Sequence, residues 1–303
     1  MIALLAPGQG SQTPGMLAEW LTLPGAADRI AAWSQISGLD LARLGTTATA
    51  EEITDTAVTQ PLVVATTLLA FDEMNRRGLP RAAGDTLVAG HSVGEIAAYA
   101  IAGVIGADDA VKLAAVRGAE MAKACAAEPT GMSAVLGGDE AEVLDRLEAL
   151  ELVPANRNAA GQIVAAGAVA ALEKLAEDPP AKARVRQLAT AGAFHTRYMA
   201  AALDGYAAAA AGVTPADPRI TLLSNADGQP VTSGAEAMTK LIAQLTRTVR
   251  WDLCTATMRQ RGTTAIVEFP PAGALAGIAK RELRGVATHA VKTPADLDGL
   301  TDL

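Results

Sequence analysis

The chain has 303 residues, half of them hydrophobic, 19% charged and only 3% aromatic, with a formal net charge of −8. That length and apolar content suffice for one large α/β unit, or a main domain with a smaller insert, and exclude intrinsic disorder. The acidic balance argues against nucleic acid as a partner, and the scarcity of rings means a core built from Ala, Leu, Val and Ile.

Residues 2–6, IALLA, read as a short buried strand running into a Gly-rich turn, PGQGSQ (7–12). No basic region precedes these few apolar residues, so the start is a strand and not a signal peptide. Amphipathic helical patterns follow to about 36, and 59–78 reads as a long helix. Residues 86–90, TLVAG, are the next strand, and a small-residue helix, GEIAAYAIAG, follows Ser92. The longest apolar run, 96–107, is too short to span a bilayer, so no membrane partner and a cytoplasmic location are expected. Residues 108–126 form another amphipathic helix, with Asp108 and Asp109 suited to its N-terminus. Strands and helices alternating in this way indicate a largely parallel, buried sheet.

Between 127 and 193 the texture changes. GMSAVLG is a strand, DEAEVLDRLEALE a helix, LVPANRNA and GQIVAAG strands, VAALEKLAEDPP a helix and ARVRQLATAG a strand. That order, β-α-β-β-α-β, is ferredoxin-like. Helices around 196–212 and 235–246 then flank a strand at 220–225, and strand 263–269 with helix 273–283 closes the main domain. The expected fold is α/β: a hydrolase-like core with a mostly parallel sheet (1–126 and 194–303) and an inserted ferredoxin-like small domain (127–193).

The chemistry centres on VAGHSVGEIAAYA (88–100), which contains a G-x-S-x-G pentapeptide. A strand before it and a helix after it are what a nucleophile elbow requires, with Ser92 as the nucleophile. A structural turn serine is the plainer alternative. The glycines let the turn close, and the helix N-terminus presents free N–H groups and a positive dipole end. A serine needs a base, and the chain has three histidines: His91, His195 and His289. His91 adjoins the nucleophile and reads as a wall residue. His289, in VATHAVK, alternates with apolar residues as an edge-strand histidine does. His195, in AGAFHTRYM at the exit from the insert, is the best candidate base.

Arg117 falls among small residues and can present its fork to a carboxylate, but periodicity alone favours an exposed helical arginine paired with Glu120 or a nearby Asp. PGQGSQ lacks both phosphate-loop patterns. Its expected use is half of an oxyanion hole, with the Val93 N–H as the other half. Cys125 and Cys254 form no close-spaced motif and read as free thiols in a reduced compartment, not as metal ligands.

Together these stretches resemble the malonyl-CoA:acyl-carrier-protein transacylases and the acyltransferase domains of polyketide synthases. The resemblance rests on PGQGSQ, TQPL (59–62), GHSVGE (90–95), VRGAEM (116–121), GMSAV (131–135), ANRNAAGQIVAAG (155–167), GAFHT (192–196), SNADG (224–228) and QLTRTVRW (244–251), in the family's order along almost the whole chain. It implies a ping-pong transfer of malonyl from malonyl-CoA to the phosphopantetheine thiol of acyl carrier protein, through a malonyl-serine on Ser92, supplying extender units for fatty acid biosynthesis. By the same resemblance His195 is general base and acid, Arg117 grips the free malonyl carboxylate, and the Gln244 backbone carbonyl orients the histidine in place of a triad acid. Gln60 and His91 line the active-site wall, and Phe194 crowds an α-methyl branch. No metal or redox cofactor is implied. The sequence departs from the pattern at FPPAG (269–273), where the family commonly has a G-P-G turn near the site's rim.

Three other readings stay open at this level. The same transfer can serve polyketide synthesis or the carrier of a malonate decarboxylase. An ordinary α/β-hydrolase, a thioesterase or esterase, would recruit the late His289 instead. A non-catalytic carrier-docking subunit on the same scaffold would leave Ser92, His195 and Arg117 without a use. Arg184, Arg186 and Arg281 are scattered basic residues that can meet an acidic carrier, although surface arginines usually only solvate a face.

Overall fold

A computed structural model describes residues 1–79, 86–301 and 303. Its first part contains β1 (Ile2–Ala6), α1 (Ala26–Ser37), α2 (Leu41–Thr46), α3 (Thr56–Arg76), β2 (Thr86–Gly90), α4 (Gly94–Ile101) and α5 (Ala107–Cys125). There follow β3 (Thr130–Gly137), α6 (Glu140–Ala149), β4 (Val153–Ala159), β5 (Gln162–Ala168), α7 (Val169–Glu177) and β6 (Ala183–Gln187). The last part holds α8 (Leu203–Ala211), β7 (Thr221–Leu222), α9 (Gly234–Ala243), β8 (Val249–Arg250), α10 (Trp251–Gln260), β9 (Ala265–Glu268), α11 (Ala274–Glu282) and β10 (Ala287–Ala290).

The strands form two five-stranded sheets. In the first, ordered β10-β9-β1-β2-β7, every pairing is parallel, and β1 lies between β2 and β9. Parallel strands buried on both faces need near-continuous apolar residues, which IALLA supplies throughout and TLVAG after Thr86. The pleat sends alternate residues to opposite faces. Ile2, Leu4, Val88 and Val267 join the large core with α3, α4 and α5, while Ala3, Leu5, Leu87 and Ile266 pack against Trp251, Met258, Leu275 and Ile278 of α10 and α11.

The second sheet runs β6-β3-β5-β4-β8. Its first four strands are antiparallel, and α6 and α7 bury Val143, Leu147, Leu172 and Leu175 against Val135 and Ile163. The fifth strand, β8, comes from far along the chain and pairs in parallel with β4 through Asn156–Val249 and Arg157–Arg250.

Several elements differ in extent from their sequence pattern. Helix α3 begins at Thr56, not 59, because Asp55 caps it by accepting from the Ala57 N–H at 2.8 Å, which leaves Pro61 inside the helix. The strand expected over 220–225 spans only Thr221 and Leu222, with Leu223 in an isolated bridge to Pro230. The strand expected at 183–192 stops at Gln187. Helix α10 and strand β8 are not anticipated by the sequence reading.

Candidate active site

The site is assembled where β1 and β2 end. Ser92 has φ 53°, in the left-handed region that favours glycine and costs other residues strain. The turn closes only because its glycines lack side chains. A Cβ on Gly90 would run into the Gly94 carbonyl, and one on Gly94 into the Ala6 carbonyl. The Gln9 loop packs on the elbow: a Cβ at Gly8 would stand 2.7 Å from the His91 carbonyl oxygen, and the His91 N–H donates to the Ala6 carbonyl at 3.0 Å. Val93 is the N-cap of α4, where a helix leaves N–H groups without intrahelical partners. The Gln9 side chain donates to Thr56 Oγ1 at 3.1 Å.

Ser92 Oγ lies 2.7 Å from His195 Nε2, and His195 Nδ1 lies 2.8 Å from the Gln244 carbonyl oxygen. A carbonyl only accepts, so Nδ1 carries the proton and Nε2 is the acceptor for the serine hydroxyl. His195 is buried, also at positive φ (61°), and its pKa is pushed down to about 3, first by burial and then by the nearby Arg117 charge. The imidazole is therefore neutral, with Nε2 facing the serine hydroxyl as an acceptor. His289 sits on the edge strand β10, in register with Val267 of β9.

Arg117 overturns the periodicity-based expectation of an exposed side chain paired with Glu120. It is 1% exposed, and Glu120 pairs with Lys123 instead. The guanidinium donates to Gln60 Oε1 and to Gln244 Oε1, both at 2.8 Å, and stands 3.4 Å from Ser92 Oγ. Its Nε has no partner, so donor capacity remains. Burial lowers its pKa to about 10, which still leaves it charged at neutral pH.

The other expected residues gather nearby. His91 Nε2 is 2.9 Å from Asn158 Oδ1, and the ring meets Trp251 edge-on, with centroids 5.5 Å apart. Phe194 is buried immediately before His195. At the divergent FPPAG segment, a cavity of about 220 Å³ is lined by Pro271 and Ala272 together with Ser11, Pro14 and Lys292, so this segment faces the PGQGSQ loop. Arg184 and Arg186 are exposed on β6, and Arg281 on α11 donates to Gln162.

Three polar residues around the elbow have no role in the sequence reading. Asn225 Oδ1 accepts the Ser92 N–H at 2.8 Å while its Nδ2 donates to the Gly90 carbonyl at 2.6 Å, which ties both sides of the strained turn. Glu95 accepts from the Asn225 N–H at 2.6 Å and from Gln244 Nε2 at 2.5 Å. Asn158 holds His91. Glu95 had a visible signal: it is the one charged residue in GEIAAYAI, a helix apolar on every side.

An elbow serine bonded to a neutral imidazole, beside a buried guanidinium with no carboxylate partner among the described residues, is an arrangement suited to acyl-transfer chemistry. The chain belongs to the acyl transferase domain family, whose model matches residues 4–295. It is 78% identical over 292 residues to the malonyl CoA-acyl carrier protein transacylase of Mycolicibacterium smegmatis, covering 95% of this chain and 100% of that one. It superposes with a TM-score of 0.96 on the crystal structure of MCAT from Mycobacterium tuberculosis, at 76% identity and 99% coverage of both chains. It also matches a malonyl-transacylase solved with its type II PKS acyl-carrier protein, at TM-score 0.93, 28% identity and 99% coverage of both chains. Among the described residues, no helix is long and apolar enough to cross a membrane.

Proposed function

We propose that the protein moves a malonyl group from malonyl-CoA to the phosphopantetheine thiol of acyl carrier protein, by a ping-pong mechanism with Ser92 as the acyl carrier. The names of its near relatives support the activity, and the observation that carries the mechanism is the buried Arg117 guanidinium 3.4 Å from Ser92 Oγ. An esterase acting on neutral acyl groups has no use for a cation there.

In the first half-reaction the malonyl carboxylate pairs with Arg117. Ser92 Oγ attacks the thioester carbonyl as its proton passes to His195 Nε2. The oxyanion is held by the Gln9 and Val93 N–H groups, each such donor typically worth ~3 kcal/mol. The C–S bond breaks, and CoA leaves as the thiol with the proton from His195. In the second half the carrier thiol gives its proton to His195, attacks the malonyl-serine ester, and Ser92 recovers its hydrogen. The Gln244 carbonyl fixes the imidazole throughout, where other serine enzymes use a carboxylate. Gln60 orients Arg117, His91 forms a wall, and Phe194 restricts the space beside the α-carbon. Every step is nucleophilic or acid–base chemistry, so none calls on a metal or redox cofactor.

The architecture supports a hydrolase-like main domain (1–126 and 194–303) with a ferredoxin-like insert (127–193), on the strand order β6-β3-β5-β4 flanked by α6 and α7. Cytoplasmic action agrees with two free cysteines. The use we infer is the supply of fatty acid extender units. Delivery to a polyketide carrier is the second reading, favoured by the likeness to the transacylase solved with such a carrier.

The test compares wild type with Arg117→Ala on malonyl-CoA and acetyl-CoA. Losing a buried, hydrogen-bonded ion pair lowers kcat/KM for malonyl about a hundredfold or more, with a far smaller change for acetyl. Equal losses on both would make Arg117 a structural residue.

A further inference from the structure

Glu95 is 1% exposed, and no Lys or Arg lies within ion-pair distance of its carboxylate among the described residues. A buried, unpaired carboxylate is costly unless its oxygens are satisfied, and here both are. One accepts the Asn225 backbone N–H and the other accepts Gln244 Nε2. Gln244 then continues the chain, since its Oε1 accepts from Arg117 Nη2 at 2.8 Å. The order from carboxylate to guanidinium is fixed: acceptor, donor, acceptor, donor.

A glutamine amide can turn end for end, and which end meets Arg117 decides whether the guanidinium is held or repelled. Gln244 Nε2 also lies 3.2 Å from the Ser92 carbonyl oxygen and 3.3 Å from Asn225 Oδ1, so three acceptors converge on it; Glu95 is the one carboxyl among them, its pKa raised to about 7 by burial against the Asn225 N–H and Gln244 Nε2 donors that favour the charged form. We propose that Glu95 is a positioning residue for substrate selection: it fixes the orientation of the Gln244 side-chain amide and thereby holds Arg117 ready for the free carboxylate of the acyl group. This rests on the malonyl-transfer reading above and adds to it a residue that does not touch the substrate.

The same geometry separates selection from chemistry. His195 is held by the backbone carbonyl of Gln244, which does not depend on how the side-chain amide is turned. Changing Glu95 to glutamine therefore acts mainly on Arg117. The Asn225 N–H is part of the backbone and cannot turn, so the new amide's oxygen stays on it and the new NH₂ falls on Gln244 Nε2. Donor then faces donor. If Gln244 turns to relieve this, its oxygen meets the Ser92 and Asn225 oxygens and its NH₂ meets Arg117.

The experiment measures initial rates with malonyl-CoA and with acetyl-CoA, at a fixed carrier-protein concentration, for wild type, Glu95→Gln and Glu95→Met. The methionine variant keeps the bulk and removes both carboxylate oxygens, so it reads the same link if Glu95→Gln does not fold. The expected result for each variant is a KM for malonyl-CoA raised about tenfold, with a smaller fall in kcat and less than about a threefold change in kcat/KM for acetyl-CoA. Equal loss on both substrates, or an unchanged malonyl KM, overturns the positioning role. A wild type that accepts no malonyl overturns the proposed function instead.

Discussion

His195 is placed where its proton is least welcome: buried, 2.7 Å from Ser92 Oγ and beside the Arg117 charge. A histidine with its pKa lowered to about 3 from the usual 6.5 stays neutral through the physiological range. The ring-proton signals of His195 in the free enzyme should thus show no titration between about pH 5 and 8 by NMR. A midpoint near the ordinary value would contradict the buried, Arg117-facing geometry. Because the folded state holds this proton more weakly than the unfolded chain, the histidine's stability contribution is full above about pH 6.5 and is lost as pH falls toward 3. A malonyl carboxylate on Arg117 offsets the charge that depresses His195, so the base strengthens when substrate is in place. Arg117 itself was partly legible. Its neighbours on the buried stripe of α5, Ala110, Ala114, Gly118 and Met121, follow helical spacing through it. A charge on such a stripe was read as solvated because sequence does not reveal a buried polar partner such as Gln60, 57 positions away.

At the scale of elements, the elbow was legible because its demands are local. A five-residue strand, two glycines at close approach and a helix start leave little freedom, and TLVAG and GEIAAYAI fell where the sequence put them. Replacing Gly94 with alanine forces its Cβ against the Ala6 and Pro7 carbonyls, so β1 and α4 must part. Overpacking of this kind costs about 1–3 kcal/mol. The expected outcome is a thermal midpoint lowered by several degrees together with loss of acyl transfer; an unchanged midpoint would mean that the close approach is not obligatory. Of the elements that escaped notice, two did so for opposite reasons. Strand β8 has only two residues, too few to carry a period, whereas α10 has a clear apolar stripe in Trp251, Cys254 and Met258 that a polar-looking stretch concealed.

On the scale of the whole molecule, the site draws residues from both sheets and from chain positions as distant as Gln9 and Gln244, so its assembly depends on contacts no local pattern encodes. The junction lies at β8 and Trp251. There Arg250 N–H donates to the Asn225 carbonyl at 2.8 Å, β8 extends the sheet of β6, β3, β5 and β4, and Trp251 packs in the core against the parallel sheet while touching His91. Truncating Trp251 to alanine should cost about 3–5 kcal/mol in a denaturant melt. A loss below about 1 kcal/mol would mean that this junction does not bind the two sheets together.

The central claim, that Ser92 stores malonyl between two thiols, is tested most directly by intact-mass measurement. Wild-type protein mixed with malonyl-CoA should gain one malonyl adduct, Ser92→Ala should gain none, and added acyl carrier protein should strip the adduct and carry it. An adduct that persists in Ser92→Ala, or that is lost to water as fast without carrier as with it, would contradict the account.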